Sequence, residues 1–430
     1  MKHLAVALVV WVSLIGCSPR ARIVRELKNT ESTFQDHTGF YLYDPTTEKE
    51  LINFNGAKYF TPASNTKIFT LYTSLKLLGD SLTAFHYQHR NDSLIIWPTG
   101  DPSFLYSAVH QNNRAYQFLT SVPGKVFLAF PYDSTLSPLG PGWSWSDYNY
   151  SYSAERSVFP IYGNIMHAFT NKDSTIHTRP AIFMEHIAYA SKPRKKAELL
   201  REVDSNMLTY FPPVSPSSGK WDIPIRTTHD VILDLISDTL KRPVEEIRLL
   251  KPRELKEVKS IPVDSVYKVM MQESDNFLAE QLLIMCSNVV SDTLSSEVGI
   301  RYSLGNFLKD LPDKPIWIDG SGLSRYNLFT PRSIVMLWRK IHNEIPASRL
   351  FPLLAAGGVN GTIRNWYKAE SPFIFGKTGT LSNNHSLSGF IITRKGKTLL
   401  FSMMSNNFIA SGNDLRKQME KILFMIRDQY

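Results

Sequence analysis

The chain has 430 residues, 43% of them hydrophobic and 20% charged, with 24 Phe, 19 Tyr and 8 Trp. That length buries a core needing no disulfide or metal staple, and the composition excludes sustained disorder. The formal net charge of +9 favours an anionic environment, but the basic residues are scattered and no zinc or helix-turn-helix signature accompanies them, so nucleic acid is not an expected partner. The KPRKK run at 192–196 reads as a solvated loop, and anionic wall polymers or a membrane surface would use the same charge.

In chain order, residues 1–17 read as an export signal: Lys2, an apolar run from Leu4 to Ile15, then Gly16 and Cys17. The run is short for a membrane span. Leu14-Ile15-Gly16-Cys17 resembles a bacterial lipobox, which predicts a lipoprotein whose mature amino terminus, Cys17, carries the lipid and anchors it to a membrane facing the periplasm or cell wall. A plain cleavable signal or a short anchor is the alternative. Cys286, the other cysteine, lies in the apolar run FLAEQLLIMC and reads as a core thiol, so no disulfide is expected.

Residues 18–36 read as a polar linker. GFYLYD (39–44) and ELINFN (50–55) read as paired strands, followed from Ala63 by a helix with Ile68, Leu71, Leu75 and Leu78 at helical spacing, ending at Gly79. The region 85–255 mixes strand-like runs (SLIIW, KVFLAF, AIFMEHIAYA) with the Pro-rich loop FPPVSPSSGKW, and reads as an inserted β-rich unit. Residues 263–290 read as helix with a break near Ser274, and 330–345 as another helix. PFIFGKTGT (372–380), SLSGFIIT (386–393) and TLLFSMMS (398–405) read as strands before a closing amphipathic helix. Strands and helices from both ends thus predict one α/β (α+β) domain, 37–84 with 256–430, around a five-stranded antiparallel sheet flanked by helices.

The pattern SxxK occurs at Ser64, Ser217 and Ser265. Only Ser64 follows a strand pair and opens an apolar helix, where free N–H groups and the helix dipole meet an anionic transition state. Lys67, one turn on, then reaches the hydroxyl, and desolvation lowers the pKa of such an amine. By itself the pair equally describes a capping serine and a solvated lysine. Ser274-Asp275-Asn276 sits at the expected helix break, and Lys377-Thr378-Gly379 is the only KTG in the chain and falls on a strand.

SxxK, SDN and KTG in this order, on helix, helix break and strand, resemble the active-site serine penicillin-recognising enzymes. The segments TGDPSF, GWSWSDYNYSYSAE, ESDNFLAEQLL, DGSGLSRYNLFTP, GGVNGTIRNW and GKTGTLSNNHSLSGF narrow the resemblance to the class C low-molecular-mass penicillin-binding proteins, D-alanyl-D-alanine carboxypeptidases and endopeptidases. The resemblance covers nearly the whole mature chain, and extra domains between the first two motifs belong to that family's pattern.

It implies a serine transpeptidase-like domain in which Ser64 is the nucleophile, Lys67 its base, Ser274 a proton relay and Asn276 a partner for Lys67 and the substrate amide. Lys377, Thr378 and Thr380 would bind the substrate carboxylate beside Gly379, and Asp147, in GWSWSD, the diaminopimelate side of a stem peptide. Peptidoglycan stem peptides and β-lactams are the implied ligands; a β-lactamase-like hydrolase, an esterase and a catalytically silent wall-binding lipoprotein are the alternatives. No cofactor or metal is expected, His86 and His89 having no third ligand in register, and a homodimer is left open.

Overall fold

A computed structural model describes residues 18–109, 113–130 and 136–430. The export signal and lipobox, with Cys17, lie outside the described residues. Two units are formed: one takes the described residues up to Tyr72 with Lys268–Ser274 and Leu304–Tyr430, the other Thr73–Tyr267 and Asp275–Ser303.

The first unit is built on a sheet of β1 (His37–Asp44), β2 (Lys49–Phe54), β3 (Ala355–Ala356), β4 (Ile374–Leu381), β5 (Asn384–Ile392) and β6 (Thr398–Asn406). It is six-stranded, in the order β3-β4-β5-β6-β1-β2, and antiparallel throughout. The five expected strands are all present. The sixth, β3, is a two-residue edge that pairs with Gly376 and Phe375, too short to leave a period in the sequence.

Side chains alternate between the faces of this sheet. Phe40, Leu42, Leu387, Ile391, Leu399, Phe401 and Met403 share a core with Leu415, Met419, Ile422, Leu423 and Ile426 of helix Gly412–Gln429. Ile23, Leu27 and Phe34 of helix Pro19–Phe34 join that core. The residues read as a linker are therefore a helix: Ser18 caps it by accepting from the amide of Ala21 at 3.2 Å, Pro19 starts it, and Ile23, Leu27, Thr30 and Phe34 form its buried face. The charges between those positions masked a stripe that only the sheet reveals. Helix Pro331–Glu344 contacts β1, β5 and β6, and Trp338 Nε1 donates to Ser388 Oγ at 2.9 Å.

The second unit contains the β-rich insertion, with wider boundaries than expected. Its five-stranded sheet starts at Ser81–Arg90 and closes with Lys256–Pro262, which pair antiparallel, so 81–84 and 256–262 belong here. Helix Asn276–Ser291 belongs here too, since Ile284 joins the insertion core and Gln281 Nε2 donates to the carbonyls of Gly100 and Ser157. Two three-stranded sheets complete it. Within AIFMEHIAYA only Ile187–Tyr189 is strand; Ala181–His186 forms 3-10 turns. Cys286 is fully buried, and burial pushes its thiol up to about 12, as befits an inert core residue.

Candidate active site

Ser64 lies in a 3-10 turn, Ala63–Thr66, that runs directly into helix Lys67–Leu77. Ala63 has φ 48, a left-handed conformation that costs a non-glycine residue about 1–2 kcal/mol. Such strain persists only where surrounding contacts over-determine it. Those contacts are visible: Gly322, at φ 86, presses so close that a Cβ there would lie 1.9 Å from the Ala63 carbonyl oxygen. On another side, a Cβ on Gly379 would meet the Pro62 oxygen at 2.5 Å and the Ser64 amide nitrogen at 2.8 Å. Only glycine lets the KTG strand lie this close to the backbone of Ser64.

Lys67 is fully buried. Its Nζ donates to Ser64 Oγ at 2.9 Å and to the Ser321 carbonyl at 2.7 Å. The second bond depends on Asp319, also fully buried, whose carboxylate accepts from the amides of Gly322 at 2.9 Å and Ser324 at 2.7 Å and from Asn327 Nδ2 at 2.7 Å. Thr70 Oγ1 donates to the Gly320 carbonyl at 2.7 Å, tying the loop to the helix that carries Lys67. Asp319 and Ser321 fall in DGSGLSRYN, a segment read as family-like without roles; their function is to turn a loop so that one carbonyl aims at an amine.

Ser274 follows helix Val263–Gln272 and breaks it with φ 64, placing the break where the sequence predicted it. Its Oγ accepts from Lys377 Nζ at 2.8 Å, and the same amine donates to the Thr378 carbonyl at 2.7 Å. Lys377 is fully buried; desolvation first, and then the charge of Lys67, hold it well below the usual lysine range.

Asn65, next to Ser64, carries no motif of its own in the sequence and was not among the expected site residues. It donates through Nδ2 to Ser386 Oγ at 2.6 Å and to the Lys377 carbonyl at 3.2 Å, and accepts from Ser388 Oγ. It thus rivets the Ser64 turn to β4 and β5. Both remaining threonines of KTGT have side-chain partners: Thr378 Oγ1 lies 2.6 Å from Thr362 Oγ1, and Thr380 Oγ1 lies 2.9 Å from His385 Nδ1.

The structure therefore brings Ser64, Lys67, Ser274, Lys377, Thr378, Gly379 and Thr380 into the first unit. Asn276 and Asp147 belong to the second. There, Asp275 caps helix Asn276–Ser291 by accepting from the Leu278 amide at 2.9 Å, and Tyr106 donates to its other oxygen at 2.6 Å. Asn276 Nδ2 donates to the Tyr152 carbonyl at 2.8 Å. Asp147 sits in the short turn Trp145–Asn149; burial, and the Asp147 carboxylate to which it hydrogen-bonds, push Tyr152 up to about 12. The other SxxK serines lie in a loop (Ser217) and within helix Val263–Gln272 (Ser265). His86 lies on strand Ser81–Arg90, so His89, three residues on, points to the opposite face.

A sheet between helices, with a buried lysine on the hydroxyl of a turn serine and a second on a neighbouring strand, defines the class of penicillin-recognising serine hydrolases. Residues 21–428 match the family described as D-Ala-D-Ala carboxypeptidase 3 (S13), and the chain belongs to that family of serine peptidases. It is 22% identical over 440 residues to the D-alanyl-D-alanine carboxypeptidase DacB of Haemophilus influenzae, covering 90% of this chain and 88% of that one. With the penicillin-sensitive carboxypeptidase A of Dictyostelium discoideum it shares 21% over 457 residues, 90% and 85% of the two chains.

Among solved structures, penicillin binding protein 4 (dacB) from H. influenzae superposes with a TM-score of 0.74 at 19% identity, over 93% of this chain and 97% of that one. The same protein complexed with a novel β-lactam gives 0.70 at 18% over the same shares. Bd3459, a predatory peptidoglycan endopeptidase from Bdellovibrio bacteriovorus, gives 0.54 at 12% identity over 92% and 93%.

Proposed function

We propose that this serine peptidase cleaves peptidoglycan stem peptides ending in D-alanyl-D-alanine through an acyl-enzyme on Ser64. The observation that carries this reading is the 2.9 Å bond from Lys67 Nζ to Ser64 Oγ within a fully buried amine site. In its neutral form Lys67 takes the hydroxyl proton as Oγ attacks the carbonyl between the two D-alanines. The substrate's carboxylate, held by Lys377, Thr378 and Thr380, favours the remaining charge of the lysine pair on Lys377 and so leaves Lys67 free to act as base. Backbone N–H groups of Ser64 and Thr380 receive the developing oxyanion, which the approach of Gly379 to the Ser64 amide favours.

Ser274, hydrogen-bonded to Lys377, passes a proton to the departing D-alanine amine, and the proton that Lys67 took from Ser64 restores the Ser274 hydroxyl and leaves Lys67 neutral again. Water then attacks the acyl carbonyl, giving up its proton as Oγ leaves and regenerating Ser64. A β-lactam follows the same path but keeps its leaving group tethered; the β-lactam complex of the H. influenzae protein supports this. Asn276 is assigned the substrate amide by its place in SDN, and Asp147 the diaminopimelate side chain by its place in GWSWSD. Selective loss of turnover on diaminopimelate peptides in Asp147→Ala tests that last role, and equal loss on simple peptides rejects it.

Export and anchoring through a lipidated Cys17 to a membrane, facing the periplasm or cell wall, is part of the same proposal and rests on the lipobox. Oligomeric state, including a homodimer, is a question for light scattering. Labelling with a fluorescent penicillin tests the mechanism: covalent labelling is expected and must vanish in Ser64→Ala. Labelling that survives that substitution rejects the nucleophile. Release of D-alanine from a pentapeptide separates the peptidase from a β-lactamase-like hydrolase.

A further inference from the structure

His385 is opposite Thr380 in the β4–β5 register, so the two side chains stand on the same face of adjacent strands. The imidazole is 5% exposed while Thr380 is an exposed residue of its strand, and His385 Nδ1 meets Thr380 Oγ1 at 2.9 Å. Burial, and then the charge of Arg416, push His385 down to about 3, so the ring is neutral throughout the physiological range. A neutral ring has one N–H and one acceptor nitrogen, and a threonine hydroxyl has one proton.

Two arrangements follow. If Nδ1 accepts, the Thr380 proton is spent on the ring and only lone pairs face an approaching carboxylate. If Nδ1 carries the proton and donates, the Thr380 proton is free and points to the substrate. We infer that His385 is a positioning residue, held as its Nδ1–H tautomer, that commits the Thr380 hydroxyl to donating to the substrate's terminal carboxylate. The inference rests on the acyl-enzyme reading of this site and adds the group by which a substrate with a free carboxylate is preferred.

The test compares acylation of the full chain by benzylpenicillin and by its methyl ester, in which the carboxylate is masked. His385→Leu is expected to slow acylation by the acid about tenfold or more, the worth of one hydrogen bond to a charged group, with the ester rate unchanged. His385→Asn, whose amide N–H replaces that of Nδ1, is expected to restore most of the loss. Equal losses on acid and ester mark a merely structural role and overturn the inference, as does a wild-type acid-to-ester ratio in His385→Leu.

Should that variant fail to fold, nitrogen-15 NMR of the acylated wild-type protein decides: a protonated Nδ1 is expected, and a proton on Nε2 alone overturns it. A wild-type protein that penicillin does not label overturns the acyl-enzyme reading itself, and the inference with it, whereas labelling with an unaltered acid-to-ester ratio overturns only the inference.

Discussion

Lys377 donates from Nζ to Ser274 Oγ at 2.8 Å, across 103 residues of sequence. The bond joins the strand motif to the helix-break motif, and it needs Ser274 at φ 64 to present its hydroxyl. A residue that carries both a strained backbone and a buried hydrogen bond can be dissected by substitution.

Ser274→Gly and Ser274→Ala both delete the hydroxyl, and both are expected to slow penicillin acylation and D-alanine release. Glycine tolerates the left-handed conformation, so Ser274→Gly is expected to be about 1 kcal/mol more stable than Ser274→Ala. Equal denaturation midpoints for the two variants would remove the argument from strain.

Lys67→Ala removes the proposed base and is expected to lower the second-order rate of acylation by about 100-fold to 10,000-fold, the usual span for general base catalysis. Stopped-flow measurement with a fluorescent penicillin checks it. A loss below tenfold is incompatible with Lys67 as the base.

The buried Asp319 carboxylate accepts hydrogen bonds from the amides of Gly322 and Ser324 and from Asn327 Nδ2, all within its own loop. Asp319→Ala leaves those donors unpaired, and a loss of about 3–5 kcal/mol in unfolding free energy is expected. Acylation should fall as well, because the loop that aims the Ser321 carbonyl at Lys67 is released. Wild-type stability with slow acylation would instead give Asp319 a direct chemical role.

The depressed pKa of Lys377 makes a statement about stability and pH. Between its folded value and the ordinary lysine value of about 10.4, the unfolded chain binds more protons than the native state, so stability rises with pH across that window. Lys377→Met abolishes this contribution. Its melting temperature should change less from pH 7 to pH 10 than that of the wild type, with the two curves converging at the alkaline end; parallel curves would mean that the amine is not buried uncharged.

The sheet was legible because β1, β2, β4, β5 and β6 alternate or run apolar between turn residues, and helix Gly412–Gln429 because its stripe is clean. Helix Pro19–Phe34 was not: Arg25, Glu26, Lys28 and Asn29 surround its apolar positions, and its stability comes from packing on a sheet whose other strands lie hundreds of residues away. The boundary of the insertion was misplaced for a related reason, since the strand Lys256–Pro262 shows its allegiance only through its pairing with Ser81–Arg90.

By itself the sequence determined the three motifs, their order, the family, and the residue types available for acyl transfer, because these are local patterns of chemistry and spacing. Tertiary structure alone decided that Lys67 reaches both Ser64 and Ser321, that Asn65 clamps β4 and β5, that Asp319 shapes the loop above the helix, and that His385 faces Thr380. Burial and hydrogen-bond direction arise between segments distant in the chain, and it is these that turn a common serine and a common lysine into a buried, hydrogen-bonded pair.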